Sequence, residues 1–180
     1  MSAKKDMPRE KALKLANDFV EKTRDLYSKI EIAGSIRRKE EIVHDIDFAV
    51  IPSIKDYAAW KALVSKRVEE IGASAKTFGE VISDFIYRGV QVNLFICPSE
   101  DSWGVTLMWA TGPKGHTIGM TIKARNKKLL YNSQGVWTRD TPPTLIPART
   151  EHDVARVLGW KYKPPESRGK DAPKDQTSPF

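Results

Sequence analysis

The sequence predicts an α/β fold of the α+β kind: a mixed sheet with helices packed on it, followed by a small lobe of helix and hairpin. Three observations lead there. Apolar residues recur at helical spacing in two segments, strand-like alternating runs lie between and after them, and from Trp103 the chain turns basic and is broken by turns. At 180 residues it can bury one solid core or two small lobes that share one. A composition of 40% hydrophobic and 29% charged residues is that of an ordinary globular protein.

Pro8 suits the first turn of a helix, and Leu13, Ala16, Phe19, Val20, Thr23, Leu26 and Tyr27 then mark one helical face, predicting a helix from Pro8 to about Ser28. Lys29 to Ala33 alternates as a strand into Gly34-Ser35, and Asp45 to Ile51 reads as a second strand closed by Pro52. Tyr57, Trp60, Val64, Val68 and Ile71 predict a second amphipathic helix. Glu80–Tyr87 and Val90–Cys97 are strand-like runs joined by Arg88-Gly89, a tight hairpin turn. Beyond Thr111-Gly112-Pro113 a basic segment to Lys128 reads as a helix, and Ser133-Gln134-Gly135 turns a short hairpin. Thr150 is the expected N-cap of a last helix over Glu151 to Leu158. Residues 164–180, poor in apolar groups, are expected to be a disordered tail. The expected division is a first lobe over 1–104 and a second over 105–163.

Charge divides unevenly along the chain. Residues 1–104 hold 17 basic and 17 acidic side chains, whereas residues 105–163 hold 10 basic against 3 acidic, so the net charge of +7 resides in the second lobe. Such a lobe suits a polyanion, whose counterions are released on contact, or is simply a solvated basic face. No apolar run is long enough to cross a membrane, the N-terminus lacks a secretory apolar stretch, and Cys97 has no second cysteine to pair with. An intracellular protein, in cytoplasm or nucleus or nucleoid, not secreted and not membrane-bound, is expected.

The chemistry is concentrated in Gly34-Ser35-Ile36-Arg37-Arg38 followed by Asp45-Ile46-Asp47. Residues two apart in a strand share a face, so both carboxylates can converge on the same hard cations. An Asp-x-Asp pair alone is weak; the preceding turn makes it specific. Gly34 lets the backbone approach a phosphate, while Ser35 and Arg38 offer donors to triphosphate oxygens. Two divalent ions, magnesium or manganese, held at such a site would assist in-line attack of a sugar 3′-hydroxyl on an α-phosphate. That is nucleotidyl transfer.

The Gly-Ser…Asp-x-Asp pattern resembles the polymerase beta superfamily of nucleotidyltransferases, and further matches point to the family X DNA polymerases. Met7-Pro8-Arg9-Glu10 resembles the start of the helix that opens their palm, Trp109-Ala110-Thr111-Gly112 sits where they carry an aromatic pair before Thr-Gly, and Trp160-Lys161-Tyr162 with Pro164 or Pro165 and Arg168 resembles their C-terminal signature. The resemblance spans about Met7 to Arg168 and implies a nucleotidyltransferase palm over 1–104 and a thumb over 105–163, in a minimal palm-plus-thumb, virus-like form. It implies a DNA-directed DNA polymerase, with two metal ions on Asp45, Asp47 and the residue at position 93. It also implies nucleotide contacts at Gly34, Ser35, Arg38, Trp109, Ala110, Gly112, Lys114 and Thr117, and DNA contacts at Thr121, Lys123, Arg125, Lys127 and Lys128. The implied partners are a gapped or nicked primer-template, nucleoside triphosphates and a downstream DNA ligase, for a monomeric repair enzyme.

Departures from the pattern matter. Asn93 stands where the family has a third catalytic Asp, and an amide can neither accept the primer proton nor bind a metal as a charged ligand, so impaired activity is expected. Asp84, directly across a two-residue Arg88-Gly89 turn, is the candidate replacement. Thr117 and Thr121 stand where the family has a base-contacting Asn and a template-contacting Arg, implying low fidelity. A catalytically silent nucleic-acid or nucleotide-binding module of the same fold, and a nucleotidyltransferase acting on RNA ends or a small molecule, remain the other readings. His44 reads as a loop residue and His116 as an open question between phosphate contact and structure. Neither a zinc site nor a nucleophilic Cys97 is expected.

Overall fold

The computed structural model describes residues 6–169. After a two-residue strand β1 (Met7–Pro8), helix α1 runs Arg9–Thr23. It stops earlier than its periodicity predicts. The Thr23 hydroxyl donates back to the Phe19 carbonyl at 2.7 Å, a 3-10 turn over Arg24–Leu26 follows, and Tyr27 already belongs to strand β2 (Tyr27–Ile32). The short helix α2 (Gly34–Arg37) and strand β3 (Ile42–Val43), which pairs with β1, lead into β4 (Ile46–Pro52). Helix α3 (Tyr57–Glu70) is capped by Asp56, whose carboxylate accepts from the Ala59 N–H at 3.0 Å.

Strands β5 (Ser74–Phe78), β6 (Ile82–Tyr87) and β7 (Val90–Ile96) complete a five-stranded sheet in the order β2-β4-β7-β6-β5. Only β4 and β7 are parallel, and they lie side by side at its centre. The β6–β7 hairpin turns on Arg88 and Gly89, both at positive φ, with Tyr87 paired to Val90. Strand β5 carries no alternation because its residues are mostly exposed at the sheet edge; pairing with β6, not its own sequence, makes it a strand.

Helix α4 (Trp103–Thr111) has no polar face and gives no amphipathic signal, since it is buried all round. Trp103, Leu107 and Ala110 pack on Ala33, Ala49 and Cys97 of the first lobe, while Val105 and Met108 join the second core with Met120, Ala124, Val136, Val154 and Leu158. The division expected at 104/105 therefore falls inside a helix shared by both lobes rather than in a linker. Gly104 permits this: a Cβ there would lie 2.2 Å from the Thr150 carbonyl oxygen, and its N–H donates to Ala148 at 2.9 Å.

The second lobe adds α5 (Lys114–Asn126), the strands β8 (Leu130–Asn132), β9 (Gly135–Trp137) and β10 (Leu145–Ile146) in a small sheet of order β10-β9-β8, and α6 (Glu151–Leu158). Thr150 and Asp153 form a reciprocal capping box at the start of α6. The disorder expected from residue 164 is corrected at its beginning: Pro165–Ser167 forms a 3-10 turn and Arg168 is 2% exposed. Residues 170–180 lie outside the described residues. On its other face the sheet is covered by α1 and α3, through Phe19, Trp60, Val64, Phe48, Val50, Val92 and Leu94.

Candidate active site

Parallel pairing of β4 with β7 places Asp47 directly beside Asn93, and antiparallel pairing of β7 with β6 places Asp84 on Asn93's other side. Asp45 lies in the bend just before β4, two residues from Asp47, and both are half-buried. The Asn93 amide nitrogen donates to Asp47 Oδ1 at 2.7 Å, and Asn93 Oδ1 accepts from Gln91 Nε2 at 2.8 Å.

The Gly34-Ser35 turn closes over the same point. Ala33 N–H donates to the Asp47 carbonyl at 2.7 Å, and Gly34, at φ +57°, leaves room for the Asp47 carboxylate: a Cβ there would lie 2.0 Å from Asp47 Oδ2. No other residue fits. Ser35 Oγ is buried and, among the described residues, lacks a hydrogen-bond partner, which is the condition of an atom awaiting a polar ligand. Among the described residues no cluster of three or more His, Cys, Asp or Glu is arranged to hold a metal. The donors at hand are the two carboxylates and the amide.

Between β7 and the helices α4 and α5, Phe95, Trp109, Gly112, Lys114, Thr117 and Thr121 line an open hollow of about 360 Å³. Its walls are largely apolar, with Lys114 exposed at its edge. A larger hollow, about 900 Å³, lies at the other end of β4 around Ile51 and Pro52 and contains none of the expected site residues.

Several of the expected contact residues have partners within the protein. Ala110, 6% exposed, packs against the sheet and does not line the hollow. Arg38 Nη1 donates to the Thr111 carbonyl at 2.5 Å and its Nε reaches Glu40, so this side chain ties the turn to α4. Lys127 Nζ donates to the Val157 carbonyl at 3.0 Å, at the C-terminal end of α6, and Lys123 lies 5.7 Å over the Trp160 ring. The Thr121 hydroxyl donates to Thr117 within its own helix at 3.0 Å. Arg125 and Lys128 are exposed. His44 contacts Asp6 at 2.6 Å on the surface.

His116 lies inside the second lobe. It is 9% exposed, edge-on to Trp160 at 6.0 Å, and burial together with the Arg168 charge pushes its imidazole down to about 4. The folded protein thus binds no proton there between pH 6.5 and 4, while the unfolded chain does. Stability from this group is complete above pH 6.5 and is lost as pH falls toward 4, by about 3 kcal/mol in all. Urea unfolding followed from pH 7 to pH 4 checks this: the loss should shrink markedly in His116→Phe, and an unchanged pH slope would contradict it.

Sequence reasoning missed a buried clasp between the lobes. Arg37, next to the Gly34-Ser35 turn, makes a two-pronged pair with Glu151 at 2.8 and 2.9 Å and donates to the Thr111 hydroxyl at 2.8 Å. Arg168 Nη2 donates to the same Glu151 at 2.9 Å. Burial would raise the Glu151 carboxyl, but the two guanidinium groups outweigh it and hold it below its usual range. The Arg37-Arg38 doublet and the capped helix start were the only local signs of it.

Comparison with known proteins agrees with this architecture. A family model described as the DNA polymerase beta thumb matches residues 106–169. The "Repair DNA polymerase X" of African swine fever virus is 26% identical over 149 residues, covering 79% of this chain and 83% of the viral protein. The "DNA polymerase/3′-5′ exonuclease PolX" of Bacillus subtilis is 29% identical over 140 residues, but the match spans only 24% of that longer protein. Among solved structures, Leishmania infantum polymerase beta in a ternary gap complex superposes with a TM-score of 0.78 at 19% identity, over 92% of this chain and 71% of that one. Its ternary P/T complex gives 0.77 at 20% identity, over 93% and 78%. By fold, thumb and sequence together, the chain is similar to the family X DNA polymerases, in a minimal form that resembles the polymerase X of African swine fever virus.

Proposed function

We propose that this protein adds nucleotides to a primer 3′-hydroxyl in gapped or nicked DNA, as a DNA-directed DNA polymerase serving repair. The observation that carries the reading is the Asp47 carboxylate lodged against the Gly34 turn, with Asp45 two residues before it and, beside it, a buried Ser35 Oγ that lacks a hydrogen-bond partner among the described residues. Backbone and hydroxyl at Gly34-Ser35 would hold triphosphate oxygens, and Trp109 would pack on the incoming nucleoside. Asp45 and Asp47 would hold a magnesium or manganese ion, which when bound offsets charge on the triphosphate. The two-ion set implied by family resemblance does not fit the residues present, because Asn93 is uncharged and its oxygen faces Gln91.

Lys114, Arg125 and Lys128 remain as exposed basic groups for the DNA backbone, a role independent of sequence. Filling a gap leaves a nick, so a DNA ligase would act next. We place the protein inside the cell as a monomer, and no helix among the described residues is long and apolar enough to cross a membrane.

The test is extension of a labelled primer across a one-nucleotide gap with manganese, comparing this chain with Asn93→Asp. The catalytically silent binding module is the second reading, favoured by the hydrogen bond that commits Asn93 to Asp47. Low fidelity is expected where turnover occurs, since Thr117 and Thr121 are short and the Thr121 hydroxyl is spent on its own helix. Misinsertion should approach correct insertion within about tenfold to a hundredfold, the discrimination that roughly 1–3 kcal/mol supplies; single-nucleotide insertion kinetics with all four triphosphates would contradict this by showing strong selection.

A further inference from the structure

Lys76 Nζ donates to Gln91 Oε1 at 3.3 Å, Gln91 Nε2 to Asn93 Oδ1 at 2.8 Å, and Asn93 Nδ2 to Asp47 Oδ1 at 2.7 Å. An ammonium can only donate and a carboxylate can only accept, so the two ends dictate how both amides between them are turned. Asn93 is 9% exposed, and its nitrogen must point at Asp47. A carboxylate at position 93 would bring two unprotonated oxygens to the same separation, which is unfavourable unless a proton or cation lies between them.

Resting on the nucleotidyl-transfer reading, we propose that the Asn93 amide stands in for a cation between residues 47 and 93. The site then takes one divalent ion, brought with the nucleotide, rather than two. The carboxylates that would meet that ion are those of Asp45 and Asp47, the latter through Oδ2, the oxygen nearest Gly34. Two carboxylates, triphosphate oxygens and water are the usual surroundings of magnesium. The amide relay keeps the sheet closed without any ion, so the folded site is indifferent to metal until nucleotide arrives.

Two measurements test this, on the full chain and on Asn93→Asp. Manganese bound in the presence of a non-hydrolysable deoxynucleoside triphosphate, counted by electron paramagnetic resonance, should be one ion for the native chain and two for the variant. Thermal melting without nucleotide should show the native chain unchanged between EDTA and magnesium. The variant should melt about 5 °C lower in EDTA and recover in magnesium. Two ions on the native chain, or equal numbers on both proteins, would overturn the one-ion site. Equal melting of both proteins in EDTA would overturn the amide's role as a cation substitute. If neither protein binds nucleotide with manganese, the nucleotidyl-transfer reading and the ion count fall together, while the melting comparison still decides the amide's role by itself.

Discussion

Asn93→Asp is expected to raise gap filling by about 10²–10⁴-fold, the usual contribution of a positioned general base. In the native chain the group nearest the Asp47 carboxylate across the β4–β7 pair is an amide that donates its proton at 2.7 Å and has no capacity to take one from a 3′-hydroxyl. The variant restores an acceptor there without changing side-chain size. If both proteins extend the primer equally, another group accepts the proton, and Asp84 is the first to examine because it is the cross-strand partner of Asn93 on β6. Asp84→Ala would then lose activity, whereas unchanged activity would remove it from the mechanism. If neither protein extends while gapped DNA still binds, the silent binding module becomes the better reading.

Glu151→Ala is expected to cost about 3–5 kcal/mol, the loss seen when one partner of a buried ion pair is removed and its opposite charges stay behind. Here two guanidinium groups stay behind, and the side chain of Arg168 is 0% exposed. For a chain of this length the melting temperature should fall by roughly 10 °C or more. Glu151→Gln should lose less, since its amide oxygen still accepts one guanidinium. The pH dependence has a defined sign. Because the Glu151 carboxyl is held below its usual range in the fold, its contribution is present above the unfolded carboxylate value, about 4.3, and is lost as pH falls through the lower folded value. The acid side of the stability curve should therefore be shallower in Glu151→Gln. Urea unfolding at several pH values checks both statements, and a loss under about 1 kcal/mol in Glu151→Ala would mean that the clasp does not bind the lobes together. Since Arg37 sits three residues from Gly34, loosening the clasp should also displace the Gly34-Ser35 turn.

Local signals carried the fold a long way. The period of α3, the alternation in β4, β6 and β7, the positive-φ turn at Arg88-Gly89 and the Thr150 cap all depend on residues a few positions apart, and each is found in the structure. Of the two carboxylates expected on one strand, Asp47 lies in β4, whereas Asp45 falls in the bend just before it, where the two-residue repeat of a strand does not apply. Helix α4 was silent because burial on every side erases the polar face that marks a helix, and β5 because an edge strand owes its form to its neighbour.

What the tertiary structure alone decided lies at contacts between distant residues. The sequence by itself determined that an amide, Asn93, lies on a strand-like run; only the parallel pairing of β4 with β7 brought it into a hydrogen bond with Asp47, 46 positions away. Basic residues of the second lobe were legible as a charge excess, yet the helix ends and aromatic rings that engage Lys127 and Lys123 come from α6 and Trp160, and the burial of His116 comes from the same packing. The physical reason is common to all of them. Backbone periodicity is set within one or two turns of chain, whereas the partner of a charge or an amide is set by which surfaces of the lobes meet once their apolar faces are buried.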